Sequence, residues 1–195
     1  ALHIDEISTI YIGYSDGIIK IWKRSSHASL FITKDTNFKK FQMIETEPGL
    51  YSITLSGDLK RLVAATEASL MLYTIDNRNA SKSPLFKFTL KMTAHSQPVH
   101  TAHFFGSYVL SGSADGTIKL WTGSSSKPHP LRSTGTNAPV NSICIINLLK
   151  CMKSTESQKD RYAVTHAVCG GCANGDIVLF PLPVARSTLE ITWWT

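Results

Sequence analysis

The chain has 195 residues, of which 43% are hydrophobic and 17% are charged, and its formal net charge is +6 at pH 7. A chain of this length and composition buries a sizeable core, which excludes a disordered tail, and no stretch approaches the ~20 apolar residues that a membrane-spanning helix needs. Four cysteines are too few for a disulfide scaffold, so we expect a reducing location, cytoplasmic or nuclear.

An internal repeat organises the chain. Each copy is a turn followed by alternating apolar residues and an aromatic, and a polar residue stands six positions before that aromatic. In chain order, the pairs are Asp16 and Trp22, Glu67 and Tyr73, Asp115 and Trp121, and Asn174 and Phe180. The spacing of about 50 residues is typical of a supersecondary unit that stacks on its neighbours.

Each copy predicts short strands. A β-rich run precedes each turn, and Asp-Gly or Asn-Gly between two such runs is a strong hairpin signal. A further strand is expected before three of the hairpins, at residues 49–55, 99–105 and 140–147. Another is expected after each hairpin, at residues 29–33, 85–90, 130–133 and 188–193. Since no apolar spacing of three and four residues is sustained, the sequence predicts an all-β fold of four-stranded antiparallel units.

The third copy resembles a WD repeat. Residues 111–121 read SGSADGTIKLW, with His95 and Val99 ahead of them. The resemblance implies a β-propeller blade with a buried hydrogen-bonded tetrad of His95, Ser111, Asp115 and Trp121. Such a set is chemically sound because a buried carboxylate is tolerated only when it is paired, and imidazole, hydroxyl and indole N–H groups can satisfy one another.

The other three copies depart from this tetrad. The first has Ile12 at the hydroxyl position, the second has Glu67 and Tyr73, and the fourth has Asn174 and Phe180 with Gly170 at the hydroxyl position. The resemblance therefore implies a single domain over residues 1–195, with blades at approximately 1–33, 49–91, 98–134 and 139–194. Because the family's propellers usually have seven blades, we expect a piece of a larger propeller. Closure as a four-bladed ring, or completion by a second chain, are the alternatives.

No catalytic or metal site is expected. The motif Cys169-Gly170-Gly171-Cys172 has the spacing of a redox dithiol or of half a zinc site, but neither a second pair nor a helix accompanies it, which favours buried structural cysteine. His95, Ser111 and Asp115 invite comparison with a nucleophilic triad, which would need an exposed serine. The sequence therefore predicts a protein that is not an enzyme and that has no cofactor and no bound metal.

The resemblance implies a scaffold or adaptor that binds other proteins or peptides through the loops of the propeller. Carried over by position, one face would present Ser15, Gln97, Ala114, Asn137 and Ala173. Residues 34–48, expected as the loop that enters the second blade, add Phe38 and Phe41 beside two lysines, which would suit an acidic or aromatic peptide. The alternative interpretation of this segment is a solvated connector whose aromatics pack back on the blade.

A second hypothesis is nucleic-acid or phosphoinositide binding through the positive charge. The lysines and arginines are scattered rather than clustered, which makes nucleic acid the weaker candidate. Salt dependence separates the two hypotheses, because binding to phosphates weakens steeply as ionic strength rises.

Overall fold

The computed structural model describes residues 2–4, 9–24, 38–76, 85–122, 130–147 and 166–182. Within these ranges the regular secondary structure is entirely β. The strands are β1 (Leu2–Ile4), β2 (Thr9–Gly13), β3 (Ile18–Arg24), β4 (Phe38–Glu45), β5 (Ser52–Leu55), β6 (Arg61–Ala65), β7 (Ser69–Asp76), β8 (Leu85–Thr93), β9 (Val99–Phe105), β10 (Tyr108–Ser113), β11 (Thr117–Thr122), β12 (Pro130–Gly135), β13 (Val140–Asn147), β14 (His166–Cys172) and β15 (Ile177–Leu182). The described residues contain no helix with the length and hydropathy needed to span a bilayer.

The strands form four antiparallel sheets, which we number as blades 1 to 4. Blade 1 has the order β1-β2-β3-β4, blade 2 the order β5-β6-β7-β8, blade 3 the order β9-β10-β11-β12, and blade 4 the order β13-β14-β15 within the described part of the chain. In every blade, strands that follow one another in sequence are hydrogen-bonded neighbours. The predicted all-β fold of antiparallel propeller-type blades is confirmed.

A register shift recurs between the third and fourth strands of the first three blades. It falls at the repeat aromatic in each case, between Ile21 and Trp22, between Leu72 and Tyr73, and between Leu120 and Trp121. An extra residue in the fourth strand accommodates each shift, as in a β-bulge. The bulge therefore belongs to the repeat as much as the aromatic does.

The first blade extends further than the sequence predicts. Its outer strand is β4, whereas residue 33 was expected to end the blade and residues 34–48 to form a loop. Phe41 is the extra residue of the bulge in β4, so the apolar residues of this strand do not alternate and a search for period two misses it. The strands expected at 29–33 and 188–193 lie outside the described residues.

Three apolar clusters join successive blades. The first lies between blades 1 and 2 and includes Ile19 and Tyr73, the second lies between blades 2 and 3 and includes Leu72 and Trp121, and the third lies between blades 3 and 4 and includes Leu120. Each cluster packs one face of a blade against the facing side of the next. Burial of apolar surface therefore holds successive blades together.

The equivalent face of blade 4 is open. Ile118 and Leu120 of blade 3 are 4% and 5% exposed beneath blade 4, whereas their counterparts Ile177 and Leu179 are 77% and 58% exposed. Cys144 and Cys169 lie in register with Leu179 on this side of the sheet. We refer to these four residues, Cys144, Cys169, Ile177 and Leu179, as the open face of blade 4.

Candidate functional site

The turns between the second and third strands of all four blades lie at one edge of the sheets, beside the loops that lead into β5, β9 and β13. Backbone hydrogen bonds anchor each loop to a turn: Thr46 N–H to Gly17 O at 2.7 Å, Ala94 N–H to Ala68 O at 2.8 Å, and Thr136 N–H to Gly116 O at 2.6 Å. We refer to this edge as the turn face. It comprises residues 14–18, 46–51, 66–69, 94–98, 114–117, 136–139 and 173–176.

The turn residues explain why these hairpins form. In blades 1, 3 and 4 a glycine has a positive φ, between 73° and 91°, which a residue with a side chain rarely adopts. The acidic or amide side chain before that glycine accepts the backbone N–H two residues further on, at 3.0 to 3.1 Å; the residues concerned are Asp16, Asp115 and Asn174. Blade 2 has Ala68 instead of glycine and closes its turn through the Thr66 N–H to Ser69 O bond.

Blade 3 brings His95, Ser111, Asp115 and Trp121 into one hydrogen-bonded chain. The Trp121 indole N–H donates to Ser111 Oγ at 2.9 Å, Ser111 Oγ lies 2.7 Å from His95 Nε2, and His95 Nδ1 lies 2.9 Å from Asp115 Oδ2. With the proton on Nδ1, the ring accepts from serine and donates to the carboxylate, so every polar atom is satisfied. Thr117 closes the network with a 2.6 Å bond from its hydroxyl to Asp115 Oδ1.

His95 and Asp115 each have one protonation state at neutral pH. Burial lowers the pKa of His95, and the neighbouring carboxylate only partly opposes this, so the ring is neutral at pH 7. Burial disfavours the Asp115 carboxylate, but hydrogen bonds from Thr117, the His95 ring and the Ser96 N–H together lower its pKa to about 2. Ser111 is fully buried, which leaves no route for a substrate to its hydroxyl.

Blade 2 uses a residue that the sequence analysis did not identify. In the loop that enters blade 3, His95 directly follows Ala94, whose N–H anchors that loop to a turn. In the loop that enters blade 2, Glu47 directly follows the anchoring residue Thr46, so Glu47 occupies the position that histidine has in blade 3. Its carboxylate accepts the Ser69 hydroxyl at 2.6 Å and pairs with Lys91. The bond from Lys91 and the bond from Ser69 lower the pKa of Glu47. Only the hydrogen bonds between loop and turn reveal this equivalence, because glutamate gives no WD-type signal.

The remaining aromatics lack the tetrad partners of Trp121. Tyr73 donates its hydroxyl to Glu45 O at 3.0 Å, and burial together with the nearby Glu47 raises its pKa to about 12. The indole N–H of Trp22 is buried and has no hydrogen-bond partner in the described part of the chain, since Ile12 supplies no hydroxyl. Phe180 has no polar atom to satisfy and packs against the cluster between blades 3 and 4.

The expected partner-binding residues fall into two groups. Ser15, Gln97, Asn137 and Ala173 are exposed on the turn face, and Ala114 is half-buried there. Phe38 and Phe41 do not join them, because both lie in β4. Phe41 packs against the cluster between blades 1 and 2, with Lys23 Nζ 3.9 Å from its ring centroid. Phe38 lies opposite Arg24, at the end of the strand farthest from the turns.

The turn face is acidic although the chain as a whole is basic. Asp16, Glu67 and Asp176 are exposed, and none of them forms an ion pair with a described residue. Three described lysines reach this edge and all are engaged: Lys91 pairs with Glu47, Lys119 donates to Ala94 O at 2.9 Å, and Lys20 Nζ lies 4.6 Å from the centroid of the Tyr14 ring. Exposed tyrosines, Tyr14 and Tyr51, accompany the carboxylates. The edge therefore offers negative charge and aromatic surface together.

Within the described ranges, no group of three or more His, Cys, Asp or Glu side chains is arranged to hold a metal ion. The C-x-x-C motif does not form a pair either. Cys172 is buried against the cluster between blades 3 and 4, whereas Cys169 lies on the open face of blade 4. Residues three apart on a strand project to opposite sides of the sheet, which explains the separation.

Comparisons with known proteins agree with this geometry. A family model described as "WD domain, G-beta repeat" matches residues 86–122, which span β8 to the end of β11. The solved structure of the computationally designed Ika4 protein is similar in fold: it aligns with a TM-score of 0.58 and 16% sequence identity, covering 93% of this chain and 89% of that one. A search of curated protein sequences gives no match.

Proposed function

We propose that this chain, which contains a WD repeat and folds into propeller blades of that type, is a non-catalytic scaffold that binds a protein partner through its turn face. WD repeats generally mediate protein–protein interaction, which supports the class of function. The residues of the turn face supply the finer part of the proposal.

The contrast between buried and exposed polar groups supports this proposal most directly. The His95, Ser111 and Asp115 side chains, whose types could catalyse a reaction, are committed to a closed network inside blade 3. The polar side chains that remain available, such as Gln97 and Asn137, are exposed at the edge where the blades present their turns. Loops positioned by a rigid scaffold are where binding residues concentrate.

The charge of the turn face favours a basic partner. An acidic peptide was expected from Lys39 and Lys40, but these residues lie in β4, with Lys40 about 17 Å along the strand from its turn-side end at Glu45. At the turn face itself, exposed carboxylates stand beside the exposed ring of Tyr51, and such a ring attracts lysine and arginine side chains. The ring of Tyr14 already holds the chain's own Lys20. We therefore propose a lysine- or arginine-rich peptide segment as the ligand.

The test compares two labelled peptide pools by fluorescence anisotropy, one rich in lysine and arginine and one rich in aspartate and glutamate, both containing aromatic residues. The basic pool is expected to bind, and Asp16→Asn is expected to weaken binding several-fold. Asp58→Asn is the matched control: Asp58 lies in the β5–β6 turn at the opposite edge and, like Asp16, accepts a backbone N–H two residues on. Preference for the acidic pool, or equal effects of the two substitutions, would contradict the proposal.

Phosphate ligands are tested in the same assay with labelled single-stranded DNA and with phosphoinositide vesicles. Lys20 and Lys23, which could contribute to such binding, already lie over the rings of Tyr14 and Phe41 at 4.6 and 3.9 Å. We expect no binding at physiological salt. Binding that weakens steeply with added salt would replace the peptide proposal by the phosphate one.

We further propose that another blade, from a longer polypeptide or from a second chain, covers the open face of blade 4. Ile177 and Leu179 occupy the positions at which blades 1 to 3 are covered by the next blade. By light scattering, the 195-residue chain is expected to self-associate, and Ile177→Lys with Leu179→Lys is expected to reduce this. Phe88→Lys, which changes an exposed aromatic of blade 2, is the control. A monodisperse, cooperatively melting monomer would mean that the chain closes or caps itself.

A further inference from the structure

Two cysteines that are distant in sequence lie directly opposite each other in blade 4. Cys144 on β13 and Cys169 on β14 are Cα partners in the antiparallel register. Opposite residues of antiparallel strands have Cα atoms about 4.5–5.5 Å apart, which falls within the range of about 4.4–6.8 Å found in disulfides. A sulfur–sulfur bond between them can therefore form while the two strands stay paired.

The surroundings of the pair favour reaction of these thiols over the third described cysteine. Both belong to the open face of blade 4; Cys144 is exposed and Cys169 is half-buried, and neither is in a disulfide. Cys172 is also a free thiol but is buried against the cluster between blades 3 and 4. Burial, followed by the neighbouring Cys144 thiol and its hydrogen bond, raises the pKa of Cys169. The two thiols are thus cross-strand neighbours on one face of the sheet, and the more accessible one is Cys144.

We infer that Cys144 and Cys169 form a dithiol site that exchanges with small-molecule disulfides and closes reversibly into a cross-strand disulfide. This inference is independent of partner binding at the turn face, which lies on other residues. It also assigns Cys169 a partner other than the one that the C-x-x-C motif suggests. It applies to the open face of blade 4 while no other blade covers it, because a covering blade would shield both thiols from glutathione. The exchange is therefore measured at protein concentrations at which light scattering shows a monomer.

The exchange balances with oxidised glutathione as the disulfide. The Cys144 thiolate attacks one glutathione sulfur, a mixed disulfide forms on Cys144, and one glutathione thiolate leaves. Cys169 then loses its proton to solvent and attacks Sγ of Cys144, which breaks the mixed disulfide and releases the second glutathione. Two protein thiols are oxidised, and one glutathione disulfide is reduced to two glutathione molecules. Cys144 reacts first because it is exposed, whereas the raised pKa of Cys169 leaves less of it as thiolate.

The experiment treats the reduced 195-residue chain with oxidised glutathione, quenches it with acid, alkylates the remaining thiols and maps the products by mass spectrometry. Cys151, which lies outside the described residues, is replaced by serine to leave three cysteines. We expect loss of two hydrogens, a crosslink between the peptides that contain Cys144 and Cys169, and reversal by dithiothreitol. Cys172 is expected to stay alkylatable once the quenched chain is unfolded.

Two variants separate the steps. Cys169→Ser is expected to stop at a stable glutathione adduct on Cys144, whereas Cys172→Ser is expected to form the crosslink as the parent chain does. The same oxidation in urea should give mixed pairings, because only the folded register selects Cys144 and Cys169. A persistent glutathione adduct on Cys144 in the parent chain, or a crosslink to Cys172 in the folded chain, would overturn the inference.

Discussion

Blades 3 and 4 share one strand frame but are stabilised by different interactions. In blade 3 the repeat aromatic, Trp121, is buried and donates to Ser111, and apolar clusters cover both sides of the sheet. In blade 4 the equivalent Phe180 is half-buried and packs on one side only, while the other side is the open face. The repeat therefore fixes the register of the strands, and each blade acquires its own means of burying the aromatic.

A close contact explains why blade 4 has no counterpart of Ser111. Gly170 occupies that position, and a Cβ built on it would lie 2.8 Å from Ile118 Cδ1 of blade 3 and 3.0 Å from Val178 Cγ2. A serine there would require the ends of the Ile118 and Val178 side chains, which pack in the cluster between the two blades, to shift. At the position where blade 3 has the Ser111 hydroxyl, blade 4 therefore packs closely against blade 3. The polar side chains of the blade 4 turn, Asn174 and Asp176, form a hydrogen bond with each other.

The largest difference between the two blades is expected at the repeat aromatic. Trp121→Ala should lower the free energy of unfolding by about 3–5 kcal/mol, because it removes a fully buried ring and leaves a cavity. Phe180→Ala should cost less, since its ring is half-buried beside an open face. Urea denaturation of both variants measures the difference. Equal losses would mean that the two blades contribute alike.

A smaller effect is expected from the hydroxyl alone. Ser111→Ala leaves the Trp121 N–H and the His95 Nε2 buried without partners, so the free energy of unfolding should fall by about 1–3 kcal/mol. Ser142→Ala, at an exposed position in blade 4, is the matched control and should change stability by less than about 0.5 kcal/mol. Comparable urea midpoints for the two variants would show that the network of blade 3 adds nothing to packing.

The smallest effect on the stability of blade 3 is expected from a change of pH. Because the pKa of His95 is lowered in the folded chain, the unfolded chain binds this proton more readily, and stability should decline as the pH falls below about 6.5. The lowered pKa of Asp115, about 2, changes stability in the same direction. The stability that this carboxylate contributes should be lost as the pH falls from about 4 to about 2. Urea midpoints from pH 8 to pH 5 should fall less in His95→Gln than in the parent chain. Parallel curves would mean that His95 does not titrate on unfolding.

The amino-acid sequence by itself determined the repeat, the strand-turn-strand hairpins and the all-β fold. These features depend on neighbours in sequence, on alternation, and on turn residues such as Gly116, whose φ of 73° suits glycine. The sequence also named the four residues of the blade 3 network, because their spacing resembles that of the family.

Only the tertiary structure decided those features that depend on contacts between residues far apart in the chain. The bulge at Phe41 hides β4 from any search for alternation, and Glu47 takes the histidine position only because its loop is anchored to the turn of blade 1. Cys169 meets Cys144 rather than Cys172, because pairing across strands, not separation along one strand, sets which side chains share a face. Whether an apolar residue such as Leu179 is covered depends on which blade packs beside it, and no local pattern encodes that.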